Sequence, residues 1–134
     1  MSKLDEIKTH CDAIEECYEF MLAYAAQGII DDRESQYGSQ LRELLSKAVT
    51  AATCLPGAYS ALVTDMKPDI SQKYQNFLDV LKADTANALA AMELVLAQAK
   101  ISSQLVDNLN ASLHVRTLLT DVFLLDEIVQ LQLQ

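Results

Sequence analysis

The stretch LDEIKTHCDAIEECYEFMLAYA, residues 4–25, decides the fold class. Its Leu4, Ile7, Cys11, Ile14, Tyr18, Met21 and Ala25 recur at alternating steps of three and four. Such steps keep side chains on one face of a helix with about 3.6 residues per turn, whereas a strand would send neighbours in the series to opposite faces. The stretch reads as a long amphipathic helix with a heptad-like seam. Gly28 suits its C-cap, and Asp31-Asp32 suits the positive end of the next helix dipole.

The same periodicity continues down the chain. Tyr37, Leu41, Leu44, Leu45, Ala48, Ala52 and Leu55 make a second segment that meets Pro56-Gly57. A proline removes one helical hydrogen bond and crowds the preceding turn, so this helix is expected to kink or break there, with a further turn or two through Tyr59, Leu62 and Val63. Lys67-Pro68-Asp69 marks the next boundary, with Pro68 expected in the first turn of the third helix. Ile70, Tyr74, Phe77, Leu81, Ala88, Met92, Val95 and Ala99 form the third seam, with Thr85 as its one polar occupant, bonding back to the preceding turn. After a break at residues 100–103, with Ser102 or Ser103 as N-cap, Leu105, Leu109, Leu113, Leu118, Leu119, Val122, Leu125 and Val129 read as one last helix. The expectation is a single all-α domain over residues 1–134: an antiparallel up-down-up-down four-helix bundle of long helices.

Composition agrees with that reading. The chain has 134 residues, 51% hydrophobic, and only 3 Gly and 2 Pro, too few turn-formers for a sandwich or barrel. A chain of this size buries enough surface to fold without disulfides or a structural metal. Its net charge of −9 argues against nucleic acid and against anionic membrane surfaces, both of which recruit clustered Lys and Arg. No run approaches the ~18 apolar residues of a membrane span. Met1-Ser2-Lys3-Leu4-Asp5-Glu6 leads into charged helix rather than a secretory signal, and three cysteines without CxxC spacing suit reduced thiols, so a cytoplasmic location is expected.

Catalytic constellations are missing from the pattern. The residues three before His10 and His114 are Ile7 and Ala111, so no Glu-x-x-His metal pair exists, and no phosphate loop or nucleophile elbow is present. No enzymatic activity and no cofactor are expected. Antiparallel pairing of the first two helices would bring His10, Cys11 and Cys54 to similar heights, a candidate thiol or soft-metal site, although Cys11 also fits as a small core residue. His114 stands in a polar series with Asp107, Asn110, Thr117 and Asp121, which invites comparison with a phosphotransfer histidine, but the lysine and glycine expected after such a histidine are absent. Tyr18, Tyr59, Tyr74 and Met92 mark the place where an apolar ligand would sit in a small-molecule-binding or sensory bundle.

Two surface features remain. Residues 1–34 carry net charge −6 and residues 101–134 carry −3, while residues 35–100 are neutral. On the first helix Asp12, Glu15, Glu16 and Glu19 crowd into about two turns as a candidate acidic docking face, although i,i+4 carboxylates repel by a few tenths of a kcal/mol. On the last helix Phe123, Leu124, Ile128 and Leu131 cannot share the side used by Val122, Leu125 and Val129, and they form a candidate interface. Together these lead to the expectation of a non-enzymatic helical bundle acting through protein-protein contact, as adaptor, regulator, assembly factor or accessory subunit, and forming a homodimer through its last helix.

Overall fold

Ser2 accepts a hydrogen bond from the Asp5 N–H at 3.1 Å, the side-chain cap that starts α1 (Lys3–Ala25) in a computed structural model describing residues 2–134. Asp5 and Glu6 in the first turn favour the same helix end. A single 3-10 turn, Asp32–Glu34, leads into α2 (Gln36–Met66), capped by the Ser35 hydroxyl. Then come α3 (Ser71–Leu96), α4 (Ser103–Ala111) and α5 (His114–Leu133). The chain is all-α, with no strand among the described residues. The helices neighbour one another in the cycle α1, α2, α3, α5 and back to α1, with α4 resting on α1 and α3.

Three expectations need correction. First, α2 does not break at Pro56: one helix of 31 residues runs through it. Proline in a helix interior costs roughly 3 kcal/mol. Ala51, Ala52 and Leu55 before it and Tyr59, Leu62 and Val63 after it are all buried on one face, and that burial outweighs the lost hydrogen bond. Second, the last segment is two helices, which makes five α-helices among the described residues. Leu113 takes a left-handed conformation at φ 65° between α4 and α5, and the Ser112 hydroxyl bonds the Leu109 carbonyl at 2.6 Å. The Asn110 side chain, in the last turn of α4, donates to the Met21 carbonyl of α1 at 3.2 Å. The Ser112 hydroxyl, competing for a backbone carbonyl, sits where α4 ends without proline or glycine. Third, the buried stripe of α1 is rotated from the expected seam. Cys17 and Tyr24 are buried beside Ile7, Ile14 and Met21, while Cys11, Tyr18 and Ala25 are half-buried. Ile7, Ile14 and Met21, like Cys17 and Tyr24, still recur at seven residues, so the whole stripe is offset around the helix toward Cys17 and Tyr24.

At the end of α1 the cap is Ala26, with Gly28 two residues beyond it at φ 68°, while two other expectations agree. Ser102 caps α4 by accepting from the Leu105 N–H at 3.0 Å, and the Thr85 hydroxyl donates to the Leu81 carbonyl at 2.7 Å within the core. Lys67-Pro68-Asp69 separates α2 from α3, although α3 starts at Ser71 and leaves Pro68 and Asp69 ahead of it.

Both interhelix loops at one end are tied by a buried polar network. Asp32 is 3% exposed and receives the Arg42 guanidinium at 2.6 Å and the Ile101 N–H at 2.5 Å. Arg42 also donates to the carbonyls of Leu96 at 3.2 Å and Gln98 at 2.9 Å, which closes the C-terminal end of α3. Ser103 completes the junction, donating to Tyr24 O at 2.6 Å and accepting from Ile29 N at 2.8 Å, while the Tyr24 hydroxyl donates to Ile101 O at 2.8 Å. Gly38 lies so close to the Asp32 carbonyl that any Cβ would overlap it.

Urea denaturation should register this junction. Arg42→Met leaves the Asp32 carboxylate buried without its counter-charge and should lower stability by roughly 2–4 kcal/mol. Gly38→Ala should destabilise by at least about 1 kcal/mol because backbone must move. Gly57→Ala, whose Cβ meets nothing within 4 Å in the interior of α2, should instead raise stability by roughly 0.5–1 kcal/mol. Equal responses of the two glycines would overturn the account of the junction.

Candidate functional site

Residues 115, 118, 119, 121, 122, 125 and 129 of α5 are buried, which leaves the opposite side of that helix to solvent. Phe123 is 50% exposed, Leu124 49% and Leu131 60%, while Ile128 is half-buried. At about 100° per residue these four do not form one patch. Leu124, Ile128 and Leu131 fall at i, i+4 and i+7 on the side toward α3. Phe123 lies toward α1, and the exposed Thr120 and Glu127 sit between the two sets. The last helix therefore stands between two grooves of different character.

Toward α3 the groove is small, about 150 Å³, and lined by Ile70, Tyr74, Phe77, Leu124, Leu125 and Ile128, with Lys73 as its only charged residue. Toward α1 it is longer and acidic. One section of about 390 Å³ has Leu4, Ile7, Cys11, Val122 and Phe123 as its apolar lining, with Asp5, Lys8, Asp12, Glu15, Asp126 and Gln130. A second section of about 520 Å³ is lined by Glu15, Tyr18, Glu19, Leu22, Arg116, Leu119, Thr120 and Phe123. Glu15 and Phe123 belong to both, so the groove is continuous from Leu4 and Gln130 to Leu22 and Arg116.

Of the acidic face expected on α1, Asp12, Glu15 and Glu19 line this groove, whereas Glu16 is exposed outside it. Asp5 and Asp126 complete the rim. Asp126 comes from the far end of the chain, and only the pairing of α1 with α5 places it there.

The thiol cluster does not assemble. Cys11 faces the α1/α5 groove, and His10 lines a separate hollow between α1 and α2 with Ala13, Ser46, Lys47, Thr50 and Ala51. Cys54 is exposed. Burial pushes the Cys11 thiol up to about 11 against a hydrogen bond from Tyr59, with the charges of Asp126, Asp12 and Glu15 adding to the rise. That leaves it protonated and weakly nucleophilic at neutral pH. Among the described residues no group of three or more His, Cys, Asp or Glu is arranged to hold a metal.

The polar series around His114 is broken by the turn at Leu113. His114 is the exposed first residue of α5, Asn110 is turned to α1, and Asp121 is buried. Tyr18, Tyr59, Tyr74 and Met92 also have separate surroundings. Met92 and Tyr59 fill the core, with the Tyr59 hydroxyl 3.4 Å from the Val122 carbonyl, while Tyr74 borders the α3/α5 groove and Tyr18 the α1/α5 groove.

Sequence reasoning missed a buried acid pair. Asp121 on α5 is 8% exposed and lies beside the half-buried Asp84 of α3. Its buried Oδ2 has no hydrogen-bond partner, a position that costs a charged carboxylate more than a protonated one. Burial, then the neighbouring Asp84 carboxyl, pushes its carboxyl up to about 7.

Compared with protein-family models, curated proteins and solved structures, the chain finds no match in any of the three.

The acid pair gives a pH dependence of known sign. Because the folded-state value of Asp121 lies above its unfolded value, its contribution to stability is full below about pH 4 and declines as pH rises through about 7. Asp121→Asn keeps a hydrogen-bond donor and removes the ionisation. It should stabilise the chain by roughly 1–3 kcal/mol at about pH 8 and have little effect at about pH 4, measured by urea unfolding across pH. An equal effect at both ends of the range would show that the pair does not titrate in this way.

Proposed function

We propose that this is a non-enzymatic, cytoplasmic helical protein that acts through protein-protein contact, as an adaptor, regulator, assembly factor or accessory subunit, and pairs with its own copy through α5. In this reading α4 and α5 together serve as the last member of an up-down-up-down four-helix bundle. The observation that carries it is the unpartnered apolar stripe of α5. Leu124 and Ile128 line the groove with Ile70, which is 42% exposed at the start of α3, and Phe77, and the exposed Leu131 continues their spacing along α5. Apolar side chains at i, i+4 and i+7 are the pattern by which helices pack on helices, and a two-fold axis lets the stripe meet its own copy. Lys73 is the only charge lining the groove, so two copies meet there without opposing a row of carboxylates.

Sedimentation equilibrium at tens of micromolar should give the dimer mass. Leu124→Lys combined with Leu131→Lys changes two exposed positions and should give the monomer mass with the unfolding midpoint nearly unchanged. A wild-type chain that remains monomeric would overturn the self-association.

A further inference from the structure

We infer that the groove between α1 and α5 is a docking site for an amphipathic helix of a basic partner protein, which lays its apolar stripe on Phe123 and Leu22 and sets Lys or Arg side chains against Asp12, Glu15, Glu19 and Asp126. This rests on the reading of the chain as an interaction protein and assigns a partner chemistry to the second of the two grooves.

Length, apolar lining and charge each point to that occupant. From Leu4 to Leu22 the groove follows α1 for about 27 Å, the span of an 18-residue helix at about 1.5 Å per residue. Phe123 is 50% exposed and Leu22 49%, which leaves apolar area for a second helix to cover. The lining carries five carboxylates, those of Asp5, Asp12, Glu15, Glu19 and Asp126, against the cations Lys8 and Arg116. Among the described residues none of the five is in an ion pair; the pairs that form use Asp31, Asp32, Glu43 and Asp65. Glu15 and Glu19 repel each other at i,i+4, and a cationic side chain between them turns that repulsion into attraction.

A second copy of the chain is a poor fit for this groove. Its terminal segments are net acidic and residues 35–100 hold six Lys+Arg and six Asp+Glu, so no segment supplies a surplus of cations. A two-fold copy of the groove would set carboxylate against carboxylate. Phosphate-bearing partners meet the same repulsion.

The test uses the full chain and three labelled peptides of about 18 residues, read by fluorescence anisotropy. The first carries Leu at i, i+4, i+7 and i+11 with Lys and Arg elsewhere. The second keeps the Leu positions and has Glu in place of the cations, and the third is basic with its Leu residues scattered around the helix. The first should bind, at least about tenfold more weakly in roughly 500 mM than in 50 mM salt, while the other two bind at least about tenfold more weakly than it does. Glu15→Lys with Glu19→Lys should cost about tenfold or more, and Phe123→Ser several-fold, with slowed hydrogen exchange on binding confined to α1 and α5. Equal binding of the acidic or scattered peptide, undiminished binding by these variants, or no binding of the first peptide overturns the proposal. So does self-association of the wild-type chain that Phe123→Ser abolishes, because a second copy then fills the groove. The Leu124→Lys, Leu131→Lys chain separates the two readings. It should bind the peptide as the wild type does, so a monomeric wild type that binds the peptide removes only the self-association, and a dimer that ignores it removes only the basic partner.

Discussion

The ion pair of Asp32 with Arg42 is the contact on which the arrangement of helices depends. One carboxylate, buried in the α1–α2 connection, holds a guanidinium from α2 and an N–H from the α3–α4 connection. The same guanidinium takes up the carbonyls that the end of α3 would leave unsatisfied. Two loops about 70 residues apart in sequence are thereby fixed to each other, and with them the register of α1 against α4. Burial alone would raise the Asp32 carboxyl; the Arg42 hydrogen bond, the Ile101 N–H and the Arg42 charge outweigh it and hold the group below the usual carboxylate range. A depressed value contributes stability above the unfolded carboxylate range that is lost as pH falls through the folded value, the reverse of the Asp121 case. The two buried acids therefore place their joint stability optimum near the unfolded carboxylate range, about pH 4, where both contributions are present.

That junction orients α5 only at a distance. α5 starts without a side-chain cap after Leu113 and has no basic residue in its last turn, so local helix signals do little for it. It is held by burial of Leu118, Val122, Leu125 and Val129 between α1 and α3, and by the acid pair toward α3. A helix fixed by one face and flanked by two neighbours leaves a seam on either side. The seams differ because α1 is acidic and the start of α3 is apolar. The contrast between an acidic groove and an apolar one is a consequence of which helices the fold places beside α5.

Periodicity was enough for the all-α class, for the α1, α2 and α3 helices and for the Ser102 cap, because each rests on local spacing or a local hydrogen bond. The departures have tertiary causes. Pro56 is a local helix breaker overridden by burial on both sides of it. The α4/α5 break has no glycine or proline and falls at the left-handed Leu113, and the Asn110 side chain beside it bonds the Met21 carbonyl across the fold. Asp31-Asp32 reads as a helix-start charge pair, and nothing in the spacing connects Asp32 to Arg42 or to Ile101. Of the surface residues, Asp12, Glu15 and Glu19 were legible because an i,i+4 repulsion is visible in the sequence. Asp126 was not, because its membership of the same rim requires the register of α1 on α5. The four apolar residues of α5 read as one interface until the helix geometry placed Thr120 and Glu127 between Phe123 and Leu124.

The acid on α1 carries a further implication. Like charges at i,i+4 destabilise a helix by a few tenths of a kcal/mol per pair, and α1 has two such pairs, Asp12 with Glu16 and Glu15 with Glu19. Solubility alone would be served by placing the same carboxylates one turn from the lysines of α2 and α3, where they would attract. Glu43 with Lys47 on α2 shows that arrangement, at 3.4 Å. On α1, Asp12, Glu15 and Glu19 line the groove that holds Phe123 and Leu22, with Lys8 one turn from Asp12, and an incoming cation relieves the repulsion between Glu15 and Glu19. Because surface charge acts mainly on encounter rate and on the exclusion of wrong partners, such a rim favours a basic helix over the chain's own acidic copies, and it leaves the apolar seam on the other side of α5 as the place where those copies meet.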